Sequence, residues 1–350
     1  MTTAEIHFPI RELSPKAQKA FLYRDPRNST KIKGRSFRLR GRHGGKGIPV
    51  SFVKQGKYLR VRCSLFKAIS GQNAITHPNL PMAVRLTFDY VIERLQEEFK
   101  CNPPEIDEDG DIKISFVDLV WHFVVGERRD VRNLLSKIYA DQSNRPGHIL
   151  VEPAVLGGGY QTVKISFLDL ELTVKFYDKF EELHQPGHRL PRAISDREEL
   201  LKLTEGWVRM EVSVSLKALK KRNLVNLANW TPETRKKIFE EIMQALQLDG
   251  TFESVSSENS WKKLSRKLQL TYLLWEGEKG FENYPASTLA AHRKELKKRL
   301  GIDIRTRPPK RQKQHVAIRE IFTEARRVVI TKEQLARWVP CWAEAPTESK

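Results

Sequence analysis

Two stretches of the chain alternate apolar and polar residues with period two, the pattern of strands that bury one face. Over 168–177, Leu168, Leu170, Leu172, Val174 and Phe176 point one way, and Asp169, Glu171, Thr173, Lys175 and Tyr177 point the other. Over 207–215, Val208, Met210, Val212 and Val214 oppose Arg209, Glu211 and Ser213. Residues 50–53, 58–64 and 160–167 also read as strands, and 112–125 as a strongly apolar one. Helical spacing of Val84, Phe88, Val91, Ile92 and Leu95 predicts a helix over 82–99, and 130–139 reads as a shorter one. An acidic turn over 105–111 and Gly157-Gly158-Gly159 punctuate the chain.

Strands in this number, joined by helices without a regular βαβ rhythm, predict an α+β fold. Its centre is a mostly antiparallel sheet with flanking helices on one face. Past about residue 217 the pattern turns helical, over 231–248, 260–275, 287–300, 316–327 and 332–339. The third of these starts near Pro285-Ala286-Ser287-Thr288, a capping region, and stops at Gly301. The expected division is a sheet-bearing domain over 1–225 and a basic helical C-terminal region over 226–350.

Charge narrows the partner. Lys plus Arg number 62 against 43 Asp plus Glu, a formal net charge of +19 over 350 residues. Such an excess favours nucleic acid first and an anionic membrane second. Residues 31–62 carry eleven Lys/Arg and no acid, and 292–319 carry eleven against Glu295 and Asp303. The first segment holds Gly41-Arg42-His43-Gly44-Gly45-Lys46-Gly47, but a Walker loop needs Gly-Lys followed by Ser or Thr, and here Gly47 and then Ile48 follow Lys46. A basic hairpin that tracks phosphates is the better reading, with Arg38, Arg40, Arg42 and Lys46 as candidate contacts. The second segment offers Arg293, Lys297, Lys298, Lys310 and Arg311. Residues 287–300 read equally as a groove-reading helix or a packed basic one. No apolar run approaches the ~20 residues of a membrane span, and residues 1–11 lack the order of a signal peptide. A soluble, cytoplasmic protein is expected. Cys63, Cys101 and Cys341 lie far apart with no metal-ligand spacing, and read as ordinary thiols.

Four residues could carry chemistry. Strand alternation puts Tyr177 with Lys175 and Lys179, which fits a tyrosine nucleophile on a polar face among cations, or an amphipathic strand end. Glu211 beside Arg209 could ligate a hard divalent cation or form an ion pair. Asp118 interrupts an apolar strand, a costly place for a carboxylate unless it is paired or metal-bound. His122 shares its face, but four strand residues span ~13 Å, so one ion reaches both only across a bulge. No His-x-His spacing occurs.

Four segments together resemble the gene II/X family of filamentous-phage and plasmid replication initiators. The 58–73 stretch is similar to the family's strand followed by a "Lys…Gly-x-Asn" element, with Lys67, Gly71 and Asn73 in place. Ile114-Ser115-Phe116-Val117-Asp118 is similar to its "Ser-Arg-Ile-Asp" strand. Residues 173–183 resemble its "Tyr-x-Lys…Glu-Leu" block, and Gly206-Trp207-Val208-Arg209-Met210-Glu211-Val212 its "Leu-Val-Arg-x-Glu" strand. The order and spacing of the four, over roughly 58–224, are more specific than any one of them. The resemblance implies a rolling-circle-initiator-like fold, with 1–225 as a nicking domain. It implies a site-specific endonuclease that nicks and rejoins one strand at an origin. Carried over, Tyr177 is the nucleophile with Lys179 beside it. Asp118 and Glu211, with His122 in second place, hold Mg²⁺ or Mn²⁺. Arg209 orients Glu211 or meets phosphate, and Lys67 joins the DNA contacts. Implied partners are double-stranded origin DNA, the displaced single strand, and a host helicase and polymerase in the bacterial cytoplasm. Phe116 stands where the family has arginine. The alternative reading is a non-enzymatic, sequence-specific DNA-binding regulator.

Overall fold

The period-two stretches become strands because pairing satisfies their backbone groups while one face of side chains leaves water. The computed structural model describes residues 3–25, 28–40, 47–76, 79–100, 104–106, 111–145, 149–156, 159–186, 188–192, 194, 196–255, 264–276, 280–282, 284–306 and 313–338. Strands in chain order are β1 (Thr3–Glu12), β2 (Leu22–Asp25), β3 (Asn28–Gly34), β4 (Ser36–Leu39), β5 (Ile48–Val53), β6 (Tyr58–Ser64), β7 (Glu105–Ile106), β8 (Lys113–Val124), β9 (Ile149–Leu156), β10 (Gly159–Phe167), β11 (Leu172–Asp178), β12 (Trp207–Val214), β13 (Thr251–Val255) and β14 (Lys313–Ala317). The helices used below are α1 (Pro15–Phe21), α2 (Leu65–Ser70), α3 (Leu80–Phe99), α4 (Arg128–Ser143), α5 (Lys179–His184), α6 (Arg197–Leu203), α7 (Leu216–Lys221), α8 (Pro232–Leu246), α9 (Arg266–Glu276) and α10 (Ala286–Leu300).

The main sheet runs β4-β5-β6-β1-β8-β12-β11-β10-β9, with β7 beside β1. Its pairings are antiparallel throughout the described residues. The α+β architecture is the one expected. Register assigns the two faces. Ile6 opposes Val61, Val212 opposes Leu119, Met210 opposes Trp121 and Phe176 opposes Met210, so these share an apolar face. Val131, Leu134, Leu135 and Ile138 of α4 and Ile238 and Ile242 of α8 are buried, and rings join helix to sheet at Phe8–Phe88 (4.7 Å) and Trp121–Phe239 (5.3 Å). The other face carries Ser51, Arg60, His7, Glu5, Phe116, Asp118, Ser213, His122, Arg209, Glu211, Lys175 and Tyr177.

The entry to β12 shows why its glycine is needed. Gly206 has φ +78, and a Cβ there would sit 1.9 Å from the Gly126 carbonyl oxygen. Only glycine allows that approach and that backbone region together.

Two expectations change. Residues 168–171 are the turn between β10 and β11; Leu168 is 61% exposed there and Glu171 has φ +56. The hairpin must reverse direction, which overrides the local alternation. The 316–327 helix is replaced by the end of β14, a short helix over Ile318–Ile321 and a 3-10 turn over Glu324–Arg326. Pairing with β8 draws this segment straight: Arg327 bridges Phe123, and Val328 N donates to His122 O at 2.9 Å. The compact units are residues 1–252 with 317–350, and 253–316. Residues 226–252 stay with the sheet because α8 closes its apolar face. The second unit has its own core of Leu264, Leu268, Tyr272, Trp275, Leu296 and Ile304. Among the described residues no helix is long and apolar enough to cross a membrane.

Candidate active site

The polar face is richest where β8, β12 and β11 lie side by side. Glu211 pairs across to Lys175, and Arg209 pairs across to Tyr177 on one side and His122 on the other. Tyr177 Oη donates to Glu211 Oε2 at 3.2 Å, and Lys175 Nζ donates to Glu211 Oε1 at 3.3 Å. Arg209 is fully buried; its Nη2 lies 3.8 Å from Glu211 Oε2, and its guanidinium sits 5.7 Å from the Tyr177 ring centre. Its Nη1 donates to Asn73 O at 2.7 Å, which ties the loop after α2 onto β12.

Lys179 is not a strand residue, as the alternation implied. β11 ends at Asp178, whose side chain accepts from Glu181 N and starts α5. Lys179 is fully buried, donating to Asn73 Oδ1 at 3.3 Å and to Glu182 Oε2 at 2.5 Å. Burial, with Arg209 nearby, pushes its ammonium down to about 7, against the pull of Glu182. Glu182 is held far below the usual carboxylate range despite its burial, chiefly by the Lys179 charge and a His188 contact at 3.0 Å. Asn73 and Glu182 had no role assigned from sequence. The signal was present, since both fall inside the quoted motif segments.

Tyr177 is half-buried rather than open. Burial lifts its phenol well above the ordinary value, with Arg209 opposing and the Glu211 charge adding to the rise. The hydroxyl is therefore neutral at rest and needs a base to ionise, and Glu211 is the carboxylate it touches.

Asp118 stands opposite Ser213, which donates to its Oδ1 at 2.6 Å. Burial first, then repulsion from Glu211, pushes Asp118 up to about 6. Glu211 and Asp118 are diagonal neighbours across β12 and β8, within reach of long side chains. Pairing between β8 and β12 runs without a bulge from Val117 to Val124, so His122 stays four residues along from Asp118. His122 packs on Trp207 at 5.6 Å, and its Nε2 is buried without a hydrogen-bond partner among the described residues. Burial and the Arg209 and Lys179 charges hold it well below its normal pKa, so it is neutral.

This makes a sign prediction for Asp118. A carboxyl whose folded pKa is raised stabilises the fold below the unfolded value of 3.8 and loses that contribution as pH climbs through about 6. Asp118→Asn keeps an acceptor for Ser213. It should melt higher than wild type at pH 8, on the order of 1–3 kcal/mol, and match it near pH 3.5. Equal melting curves at pH 8 would show that the charge is not strained.

Across the rest of the face, a cavity of 370 Å³ is lined by Glu5, Ser36, Arg38, Ser51, Arg60 and Arg62, among others. Phe116 lies where an arginine was expected, and the Arg62 guanidinium sits over its ring at 5.5 Å. A cation from β6, on the far side of β1, thus lies over that place. Arg38 and Arg40 are exposed, and Lys67 of α2 is half-buried. Arg42, Lys46, Lys310 and Arg311 fall outside the described residues. In the second unit, Arg293 is held by Asp303 through two bonds of 2.7 and 2.6 Å, while Lys297 and Lys298 stay exposed in the last turn of α10.

Among the described residues no three His, Cys, Asp or Glu side chains group as a metal site by themselves. Mg²⁺ usually keeps several waters and takes only one or two carboxylates plus substrate phosphate. Two buried carboxylates that repel one another fit that lesser requirement.

The family model for the N-terminal part of the phage replication-associated protein of gene II type matches residues 46–233. That is more than half of the chain, and the chain belongs to this family. It is also 26% identical over 198 residues to the replication-associated protein of this type from Enterobacteria phage I2-2, an alignment covering 56% of this chain and 54% of that relative. The chain thus aligns with about half the length of that curated relative. Asp118, His122, Tyr177, Lys179, Arg209 and Glu211 all lie inside the matched segment.

Proposed function

We propose that the chain initiates rolling-circle replication by nicking and rejoining one DNA strand, with Tyr177 as nucleophile. The observation that carries this reading is the 3.2 Å bond from Tyr177 Oη to Glu211 Oε2 within a cluster of cations. Glu211 takes the phenol proton as Oη attacks phosphorus. The P–Oη bond forms and the P–O3′ bond breaks; the 3′-oxygen takes up a proton and leaves as a hydroxyl. That hydroxyl is the primer end a polymerase needs. The phosphotyrosine ester conserves the bond energy, so the reverse attack reseals the strand without ATP. Lys175, the half-exposed cation of the cluster, is placed to meet a phosphate oxygen, and buried Arg209 positions Glu211 and the Tyr177 ring. Asp118 and Glu211 would hold Mg²⁺ or Mn²⁺, which when bound polarises the phosphate.

Relaxation of supercoiled DNA bearing a filamentous-phage origin, with a covalent protein–DNA adduct trapped in detergent, tests this. Binding without nicking or adduct leaves the non-enzymatic regulator.

The arginine-rich polar face and the basic segments at 31–62 and 292–319 supply the affinity for origin DNA in this proposal. Each phosphate contact releases counterions, so six or more contacts should weaken binding about 10³-fold between 50 and 200 mM salt. A filter-binding titration that shows little change over this range would count against phosphate contacts as the main source of affinity.

A further inference from the structure

A second concavity lies on the opposite, apolar face of the sheet. A cavity of 430 Å³ opens between the start of α3, the apolar side of β8 and the start of α8. Its size falls in the range of about 300–1,000 Å³ that small-molecule sites occupy. Its walls combine two chemistries. Trp121, Trp230 and Phe239 give it aromatic surface, and both tryptophans are buried. Arg235, Lys236 and Arg327 give it three cations. Among the described residues the one acid in the lining is Glu324, which accepts from Arg327 at 2.7 Å.

Arg235 is the least compensated of the three. Its guanidinium lies over the Trp121 ring at 4.6 Å, and its Nη2 donates to Val120 O at 2.5 Å. Its Nε is buried with no hydrogen-bond partner, and among the described residues no carboxylate forms an ion pair with it. Burial and the Arg327 charge, against the pull of Glu324, depress it to about 9, which still leaves it protonated near neutrality. Lys236 lies 3.8 Å from Glu240 and is 75% exposed. Two helix starts also line the cavity, α3 capped by Asn79 and α8 capped by Thr231, and both add positive potential. A cation is repelled here. An apolar ligand would leave Arg235 without an anion bonded to it and the cavity with an excess of positive charge. A planar ring carrying an anion answers both the rings and the cations.

We propose that this cavity binds one nucleotide unit, its base against the aromatic walls and its phosphate on Arg235, Lys236 and Arg327. Base–aromatic contacts tolerate any sequence, since every base has a π-face. The unit comes either from an unstacked position of a DNA strand or from a free nucleotide. The site lies on the other face of the sheet from the Tyr177 cluster: Leu119 and Trp121, which line it, pair with Val212 and Met210, whereas Glu211 and Arg209 point to the opposite face. Arg235, Lys236, Phe239 and Arg327 also lie beyond the 46–233 segment that the family model matches.

The experiment is a tryptophan-fluorescence titration of the full chain with dTMP and with a thymidine decamer. Lys236→Glu is compared with Lys237→Glu, an equal charge change at an exposed neighbour that does not line the cavity. Saturable quenching should weaken about tenfold in Lys236→Glu and hardly at all in Lys237→Glu. Saturation by dTMP alone assigns a free nucleotide, and saturation by the decamer only assigns a strand nucleotide. No saturable quenching by either, or equal losses in the two variants, overturns the site. The reading is independent of nicking, because Tyr177→Phe should quench as wild type does even if the tyrosine chemistry proves wrong.

Discussion

Tyr177→Phe should lose origin nicking and the covalent adduct by at least about 10³-fold while keeping its fold. The ring stays between β11 and β12, so the packing over Arg209 survives. What goes is one hydroxyl and its bond to Glu211, worth about 1 kcal/mol of stability. A large loss of activity beside a small loss of stability is the signature of a group that meets the reacting phosphate. It separates nucleophile from strand-end tyrosine, the two readings that alternation leaves open. Undiminished nicking in the phenylalanine variant would mean that water attacks instead. The raised phenol pKa strengthens the argument for a base, since a neutral hydroxyl held by burial cannot ionise unaided.

Arg209→Ala should destabilise the fold by about 3–5 kcal/mol, read as a lower urea midpoint with little change in slope. Arg209 is among the largest fully buried side chains of the chain. It faces the charges of Glu182 and Glu211 and bonds the Asn73 carbonyl. Alanine leaves those acids short of a counter-charge, unties the loop after α2 and opens a cavity. Arg209→Lys should recover only part of the loss, because a single ammonium cannot reach Asn73 and Glu211 together. A fall below about 1 kcal/mol in the alanine variant would mean that the surrounding charges rearrange freely and that Arg209 positions nothing.

Much of the fold is legible in the residues themselves. Period-two alternation defines β12 and the part of β11 that carries Tyr177, and the helix read from 231 starts at Thr231, the cap of α8. Where local pattern and chain reversal disagree, as at Leu168, reversal prevails, because a hairpin turn cannot also be strand. Helical periodicity near 316–327 likewise yields to β8, which offers open backbone groups to Val328.

Sequence alone determined which residues share a strand face, because alternation is a local property of the backbone. It could therefore place Tyr177 with Lys175, and Arg209 with Glu211. Only the tertiary structure decided which strands lie side by side, since pairing joins residues far apart in the chain. That set Tyr177 on Glu211, Asp118 diagonal to Glu211 and Asn73 under Arg209. It also decided burial, which a local pattern cannot report, and burial is what makes Tyr177 neutral, Asp118 strained and Lys179 weakly basic.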